Sequence, residues 1–337
     1  MASQDIALLV GVSGIFVDTA GPFTGFQVFC DVVPESAHGV HSQFRGVWMT
    51  CNDKPQVSVI LCSRDRSEQV SRCLDRFDVS ELVKLNGELV LVDNASSDNT
   101  REVFDSFQAQ NPDADVQCCT AAKKGLSIAR NTGVERSRSS LIVFLDDDVY
   151  LERGYLARIL AFFENHGADV GIAGGRILRF DPADSLYCCQ LSERYRFYET
   201  GSTVRPGALQ GANFAIRRVT FDAIGGFDVT LGAGQKYRCE DIDFIARALA
   251  NGWEAVYDPA LVVYHHHGRR DGDDVESLRH DNSYACGAFF AKMLSLGYGN
   301  YWYLLTLYVL STPIRPNMKL VSFYKGWRDY RYDYPRV

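Results

Sequence analysis

An α/β fold with a mostly parallel sheet wrapped by helices is what this sequence predicts. Three observations predict it. Apolar runs of strand length alternate with amphipathic stretches, the connections between them are short, and polar residues gather directly after the runs. In open sheets of that kind ligands bind beyond the carboxyl ends of the strands.

The first 54 residues stand apart from this pattern. They are apolar, aromatic and dotted with glycine, and "IALLV", "GIFVD" and "FQVFCDVV" read as short strands joined by turns. Residues 1–54 are therefore an accessory β segment. At Pro55 the style changes. "VSVILC" (57–62) is a continuous apolar run, the signature of a strand buried on both faces. A helix follows with Val70, Cys73, Leu74 and Phe77 on one side. Strand "ELVLVD" (88–93) leads into helix "TREVFDSFQ", "DVQCCT" into "GLSIARNTGVERS", and "LIVFL" into "LERGYLARILAFFENH". The last of these helices puts Leu156, Ile159, Leu160 and Phe163 on one face. Later come the strand of "LQGANFAIRR" and the helix "EDIDFIARALANG", with Ile242, Ile245 and Leu249 on its buried side. The strand "LVVYHHH" closes the series. The main domain spans 55–270, and 271–337 forms a C-terminal helical segment.

Bulk properties exclude some functions. A net charge of −7 argues against a general nucleic-acid binder. The ten cysteines show no C-x-x-C spacing and read as free thiols in a reducing compartment, not as a zinc site or disulfide framework. No run reaches the ~18 uninterrupted apolar residues of a spanning helix. Asp5 stands where a signal peptide would carry positive charge, so a cytoplasmic location is expected.

Chemistry enters at "FLDDDVYLERGY". An apolar strand gains nothing by ending in three aspartates, unless they cap it in solvent or hold something positive. Alternation along an extended chain lets Asp146 and Asp148 converge while Asp147 points elsewhere. Two convergent carboxylates are the oxygen ligands that Mg²⁺ or Mn²⁺ requires. An acidic strand end alone is weak evidence, and the other strand ends strengthen it: Ser63-Arg64-Asp65 after the first strand and Asp93-Asn94 after the second.

"VSVILCSRDR", "LVLVDNASSDNT", "GLSIARNTG", "LIVFLDDDV", "QGANFAIRRVTFDAIGGFD" and "CEDIDFIARAL" occur in that order. The ordered set resembles the family-2 glycosyltransferases, nucleotide-sugar enzymes of the GT-A fold, over about Gln56 to Gly268. The resemblance implies that Ser63, Arg64, Asp65 and Asp93 hold the base and ribose of a UDP-, dTDP- or GDP-sugar. Arg130 would offset the donor's charge, and Asp147 joins Asp146 in the nucleotide-sugar site. Asp146, Asp148 and His265 would hold a divalent cation, Mn²⁺ or Mg²⁺; His267 competes with His265 for that role. Gln210, Gly211, Asn213 and Glu240 would face the acceptor, a glycan or lipid-linked hydroxyl, and Asp241 would be the catalytic base. Asp243 faces outward or supports its helix, and "GGFD" is a structural turn. The reaction implied is one inverting displacement, in polysaccharide or glycolipid synthesis.

Other readings compete. A sugar-phosphate nucleotidyltransferase would want a glycine-rich basic loop after the first strand, which "CSRDRSEQ" lacks. A glycosidase would use two carboxylates without the nucleotide-site pattern. A non-catalytic carbohydrate-binding or scaffold relative would be expected to lose a metal or base residue, and none is lost. The tail is aromatic and increasingly basic. Arg315 to Val337 holds six Lys or Arg against two Asp, and Trp302, Tyr303, Leu304, Leu305, Leu307, Tyr308 and Trp327 precede or join them. Two readings fit: peripheral contact with an anionic membrane on its inner face, or a helical lid packed on the main domain.

Overall fold

The computed structural model describes residues 54–310 and 319–335, together with two strands among the first 53. The chain divides into two compact units, 1–54 and 55–337. In the first, β1 (Ile15–Asp18) and β2 (Gly25–Val28) pair antiparallel. The expected strand "IALLV" and the second half of "FQVFCDVV" lie outside the described residues.

The second unit runs β3 (Ser58–Ser63), α1 (Ser67–Leu74), α2 (Val79–Lys84), β4 (Glu88–Asp93), α3 (Thr100–Gln110), β5 (Asp115–Thr120), α4 (Leu126–Arg136) and β6 (Leu141–Asp146). It continues with β7 (Val149–Leu151), α5 (Tyr155–Asn165), β8 (Val170–Arg179), β9 (Arg196–Tyr198), β10 (Phe214–Arg217), α6 (Arg218–Ile224) and α7 (Glu240–Ala250). The last elements are β11 (Glu254–His265), α8 (Asp273–Ser295), α9 (Tyr301–Leu310) and α10 (Leu320–Asp333). Helix α1 ends before Phe77, and Asp78 caps a second short helix by accepting the Glu81 N–H.

The strand order is β5-β4-β3-β6-β10-β8-β11-β7, with β9 also on β11. The parallel sheet expected from the sequence is found in β5-β4-β3-β6. Beyond it the sheet is mixed, because β10 runs antiparallel to both β6 and β8. Period-two alternation splits the central strands between two cores. Val59, Leu61, Leu89, Leu91, Val143 and Leu145 meet α1, α3 and α5. Ile60, Val90, Val92, Ile142 and Phe144 meet α4, α7 and α8. Each such side chain contributes about 1.5–3 kcal/mol on burial, which makes the strand ends a firm platform.

Two residues separate β6 from β7 in the chain, yet β10, β8 and β11 lie between them in the sheet. Four strand spacings would be about 19 Å in a flat sheet, and three Cα steps reach only about 11 Å. The sheet therefore curls, and β7 pairs antiparallel with the end of β11, placing Val149 opposite His265. That curl puts the aspartates against the histidines.

Residues 271–337 belong to the same unit as the sheet. Lys292 of α8, almost wholly buried, bridges Asp228 and Asp243, both at 2.6 Å. A Cβ on Gly287 would strike the Phe323 carbonyl and one on Gly326 the Tyr284 carbonyl, so α8 and α10 cross at backbone contact.

Candidate active site

A cavity of about 510 Å³ opens at the carboxyl ends of β3 and β6. Ser63, Arg64, Asn94, all three aspartates, His265 and Arg269 are among its lining residues. The aspartates are not free. Arg66 spans Asp147 and Asp148, each at 2.8 Å, and Ser63 donates its hydroxyl to Asp147. Asp148 also meets Nε2 of His265 at 3.2 Å, and Arg130 meets Asp146 at 3.0 Å.

These neighbours act unequally on three adjacent acids. Burial pushes Asp147 up to about 7, against the pull of Arg66. Burial also raises Asp146, partly offset by Arg130. Burial opposes the charge on Asp148 too, but the hydrogen bond and charge of His265, with Arg66, outweigh it and hold Asp148 well below the carboxylate range.

A second cavity, about 580 Å³, lies against the first. Leu126, Asp146, His265 and Arg269 line both. Gln210, Gly211, Glu240 and Asp241 line the second, facing Tyr187, Cys188, Leu278, Asn282 and Tyr308. Asp241 accepts the Gly211 N–H with one oxygen and the Ile242 N–H with the other, both at 2.7 Å, which fixes its carboxylate. Arg130 is buried between the cavities: its guanidinium pairs with Asp146 on one side and Glu240 at 3.1 Å on the other. Burial and the charge of Asp241 push Glu240 up to about 7 despite Arg130.

Residues 58–223 match the family model described as glycosyl transferase family 2. The chain belongs to glycosyltransferase family 2. It is 24% identical over 215 residues to the glycosyltransferase AglE of Haloferax volcanii, covering 63% of this chain and 67% of that one. It is 30% identical over 155 residues to the pre-mycofactocin glycosyltransferase of Mycobacterium tuberculosis, covering 43% of this chain and 30% of that one. The chain thus spans two thirds of one relative and under a third of the other. Among solved structures, the mannosyltransferase PcManGT of Pyrobaculum calidifontis, in complex with GDP-Man and Mn²⁺, matches with a TM-score of 0.56 at 16% identity. That match covers 83% of this chain and 88% of that one. TarS of S. aureus in complex with UDP-GlcNAc matches with a TM-score of 0.51 at 15% identity, covering 70% and 66%. These likenesses establish the GT-A fold.

Several residues of this glycosyltransferase lie elsewhere than its sequence suggested. Asp147 does not point away from its neighbours: the chain turns after Asp146, strand alternation ends there, and Arg66 draws Asp147 and Asp148 together. Asn213 is unavailable to a sugar. It is buried, accepts the Tyr155 hydroxyl, and donates to the carbonyls of Arg176 and Leu261. Asp65 and Asp93 do not line the cavity. Asp65, at φ 51°, accepts the Ser97 N–H and hydroxyl, and Asp93 accepts the Ser96 N–H, so both organise the loops beside the site. Arg130 lines the second cavity, not the first.

The histidines separate cleanly. His265 faces Asp148. Nδ1 of His266 lies 3.0 Å from the Tyr150 hydroxyl. His267 accepts the Arg269 N–H on Nδ1 and donates from Nε2 to the Ser185 carbonyl, leaving no lone pair for a metal. Asp243 is fully buried between Arg247 and Lys292, a support for its helix. In "GGFD", Gly225 is the left-handed C-cap of α6.

Sequence reasoning missed Arg66 and Arg269. Arg66 follows the Ser63-Arg64-Asp65 turn directly, and three acids facing a loop demand a cation from it. Arg269 follows the histidines in "HHHGRR", but nothing in that run distinguishes it from Arg270.

Proposed function

We propose that this glycosyltransferase catalyses an inverting, cation-dependent transfer of a sugar from a nucleotide-diphosphate donor to an acceptor hydroxyl, in polysaccharide or glycolipid assembly. One observation carries the reading: two cavities share a wall at Asp146 and His265, with the clustered carboxylates in the first and Asp241 in the second. The solved relatives that hold GDP-Man and UDP-GlcNAc support a nucleotide sugar in the first cavity.

The donor set fits a divalent cation. Asp146 and Asp148 offer oxygen, His265 offers nitrogen, and Nδ1 of His265 is buried with no partner among the described residues. Among the described residues no three acidic, His or Cys side chains stand as a finished cage. Arg66 and Arg130 carry the compensating charge in their place. A bound cation would act as a Lewis acid toward the diphosphate. Ser63, Arg64 and Asn94 orient the donor, and Asp65 and Asp93 fix the loops that present them. Asp241 takes the proton of the acceptor hydroxyl as that oxygen attacks the anomeric carbon, a contribution of typically ~10²–10⁴-fold. Glu240 holds Arg130 between the sites.

The test is a donor screen. Nucleotide release is measured with UDP-, GDP- and dTDP-sugars and mixed glycan or lipid acceptors, with Mn²⁺ or with EDTA. Release from one donor, abolished by EDTA and restored by Mn²⁺ or Mg²⁺, is expected. Undiminished transfer in metal-free buffer would overturn the cation role.

The tail supports a second, compatible reading, peripheral membrane contact. Helix α9 turns Tyr301 and Leu304 inward and leaves Trp302, Tyr303, Leu307 and Leu310 exposed, and α10 exposes Leu320, Val321 and Tyr324. No described helix is long and apolar enough to cross a membrane. Lys319 pairs with Glu276 and Arg328 with Asp329. Attraction to anionic lipid is therefore weaker than the sequence count of basic residues suggests. Co-sedimentation with anionic vesicles at low salt is expected, and equal pelleting with neutral vesicles, or none, would leave only a packed helical layer.

A further inference from the structure

We infer that Arg269 is the cation that receives the leaving diphosphate where the two cavities meet, an assignment that rests on the donor-transfer reading above. Arg269 lines both cavities. Most of the other cations on these walls are already committed to carboxylates: Arg66 to Asp147 and Asp148, Arg130 to Asp146 and Glu240, Arg64 to Asp65, Arg238 to Asp281. The guanidinium of Arg269 has no carboxylate partner among the described residues. Among those residues its one polar side-chain contact is Nη1 to the Cys188 sulfur at 4.0 Å. Lys124 is likewise without a carboxylate there, but it lines only the first cavity and is exposed.

The backbone of Arg269, by contrast, is pinned at both polar groups. Its N–H donates to Nδ1 of His267 at 3.0 Å, and its carbonyl accepts the Ser185 N–H at 2.9 Å. Asp184, nearly inaccessible, clamps the residues on either side by accepting from the Gly268 N–H at 3.1 Å and from Arg270 at 2.9 Å. Ser185 adds a bond to Asp271. A surface arginine needs no such latch. A cation held in place with its charge uncompensated is preorganised for an anion that arrives with the substrate, and a guanidinium fork matches phosphate oxygens.

The placement suits one moment of the reaction. As the acceptor oxygen bonds to the anomeric carbon, the bond from that carbon to the diphosphate oxygen breaks. Its electron pair stays on the diphosphate, and the acceptor proton goes to Asp241. New negative charge thus appears on the diphosphate oxygen nearest the acceptor, at the boundary where Arg269 stands.

Isothermal titration in Mn²⁺ buffer tests this. Wild type, Arg269→Ala and Arg269→Lys are titrated with UDP, GDP, dTDP, ADP and CDP, then with the monophosphate of whichever nucleotide binds. A truncated charge-assisted bond corresponds to about a tenfold loss or more. Arg269→Ala should lose at least that for the diphosphate and less than about twofold for the monophosphate, with Arg269→Lys between, at an unchanged unliganded melting midpoint. Equal loss for diphosphate and monophosphate would make Arg269 structural. Wild-type affinity in Arg269→Ala would overturn the assignment and move the cation's role to the acceptor. If wild type binds no nucleoside diphosphate at all, the donor reading falls with it; if it binds and the variants match it, only Arg269 falls.

Discussion

The two cavities of this glycosyltransferase share a wall but are built by opposite means. The first is made of loops that follow neighbouring parallel strands, stitched by short polar contacts: Arg64 to the Asn94 and Ala95 carbonyls, Asp65 to Ser97, the Ser67 N–H to Asp98. The second gathers segments from 126 to 308, and its outer wall is α8, held by packing against α10 and by Lys292. Charge is managed differently too. Asp147 and Asp148 of the first cavity are matched by Arg66 from the neighbouring loop, whereas the second keeps Asp241 on backbone donors and Glu240 on Arg130 of α4, which it shares with Asp146. A cavity stitched by polar contacts among its own loops should survive damage elsewhere, and a cavity walled by helix packing should not.

The largest effects should separate the cavities by chemistry. Asp241→Asn is close in shape, gives up one of the two backbone bonds and removes the proposed base, so turnover should fall by roughly 10²–10⁴-fold while donor affinity stays within about threefold. Asp148→Ala should do the reverse, losing nucleotide-sugar binding because Arg66 and His265 lose the carboxylate they share. Turnover and donor titration on both variants decide the matter. Near-normal turnover in Asp241→Asn would place the base elsewhere, with Glu240 the next residue to change.

A structural perturbation should break the second cavity alone. Gly287→Val drives a branched side chain into the Phe323 carbonyl. Overpacking of that kind costs about 1–3 kcal/mol or more, and it should loosen α10 from α8. Transfer to acceptor should fall well below wild type at temperatures where nucleotide binding persists. Simultaneous loss of both in a folded variant would show that the cavities are not separable.

The smallest effect is a pH dependence. Burial and the charge of Asp241 push native Glu240 up to about 7, whereas an unfolded glutamate ionises near ~4.3. Between those values the native state binds more protons than the unfolded one, so this residue's contribution to stability declines as pH rises. Glu240→Gln removes that slope. Its melting midpoint relative to wild type should rise by a few degrees from pH 5 to 7 and then level off; a difference independent of pH would show that Glu240 ionises normally.

The sequence alone accounted for the parallel half of the sheet, since continuous apolar runs ending in polar residues dictate strands buried on both faces with their chemistry at one edge. It also determined that Asp146, Asp148, His265 and Asp241 stand at strand or helix ends, because period-two and period-3.6 patterns locate those ends. Alternation predicted that His265 and His267 share one side of the chain, and they do, with ring centroids 5.0 Å apart. Packing is what tells them apart, giving His267 two backbone partners and setting His265 against Asp148. It likewise spent Asn213 on Tyr155 and two carbonyls, Asp65 on a neighbouring loop, and turned Asp147 back toward Arg66. Those outcomes depend on contacts tens of residues apart, Ser63 with Asp147, Ser185 with His267, Arg130 with Glu240. A polar side chain's type announces what it can bond to; which partner reaches it first is set by how the sheet curls and where the helices pack.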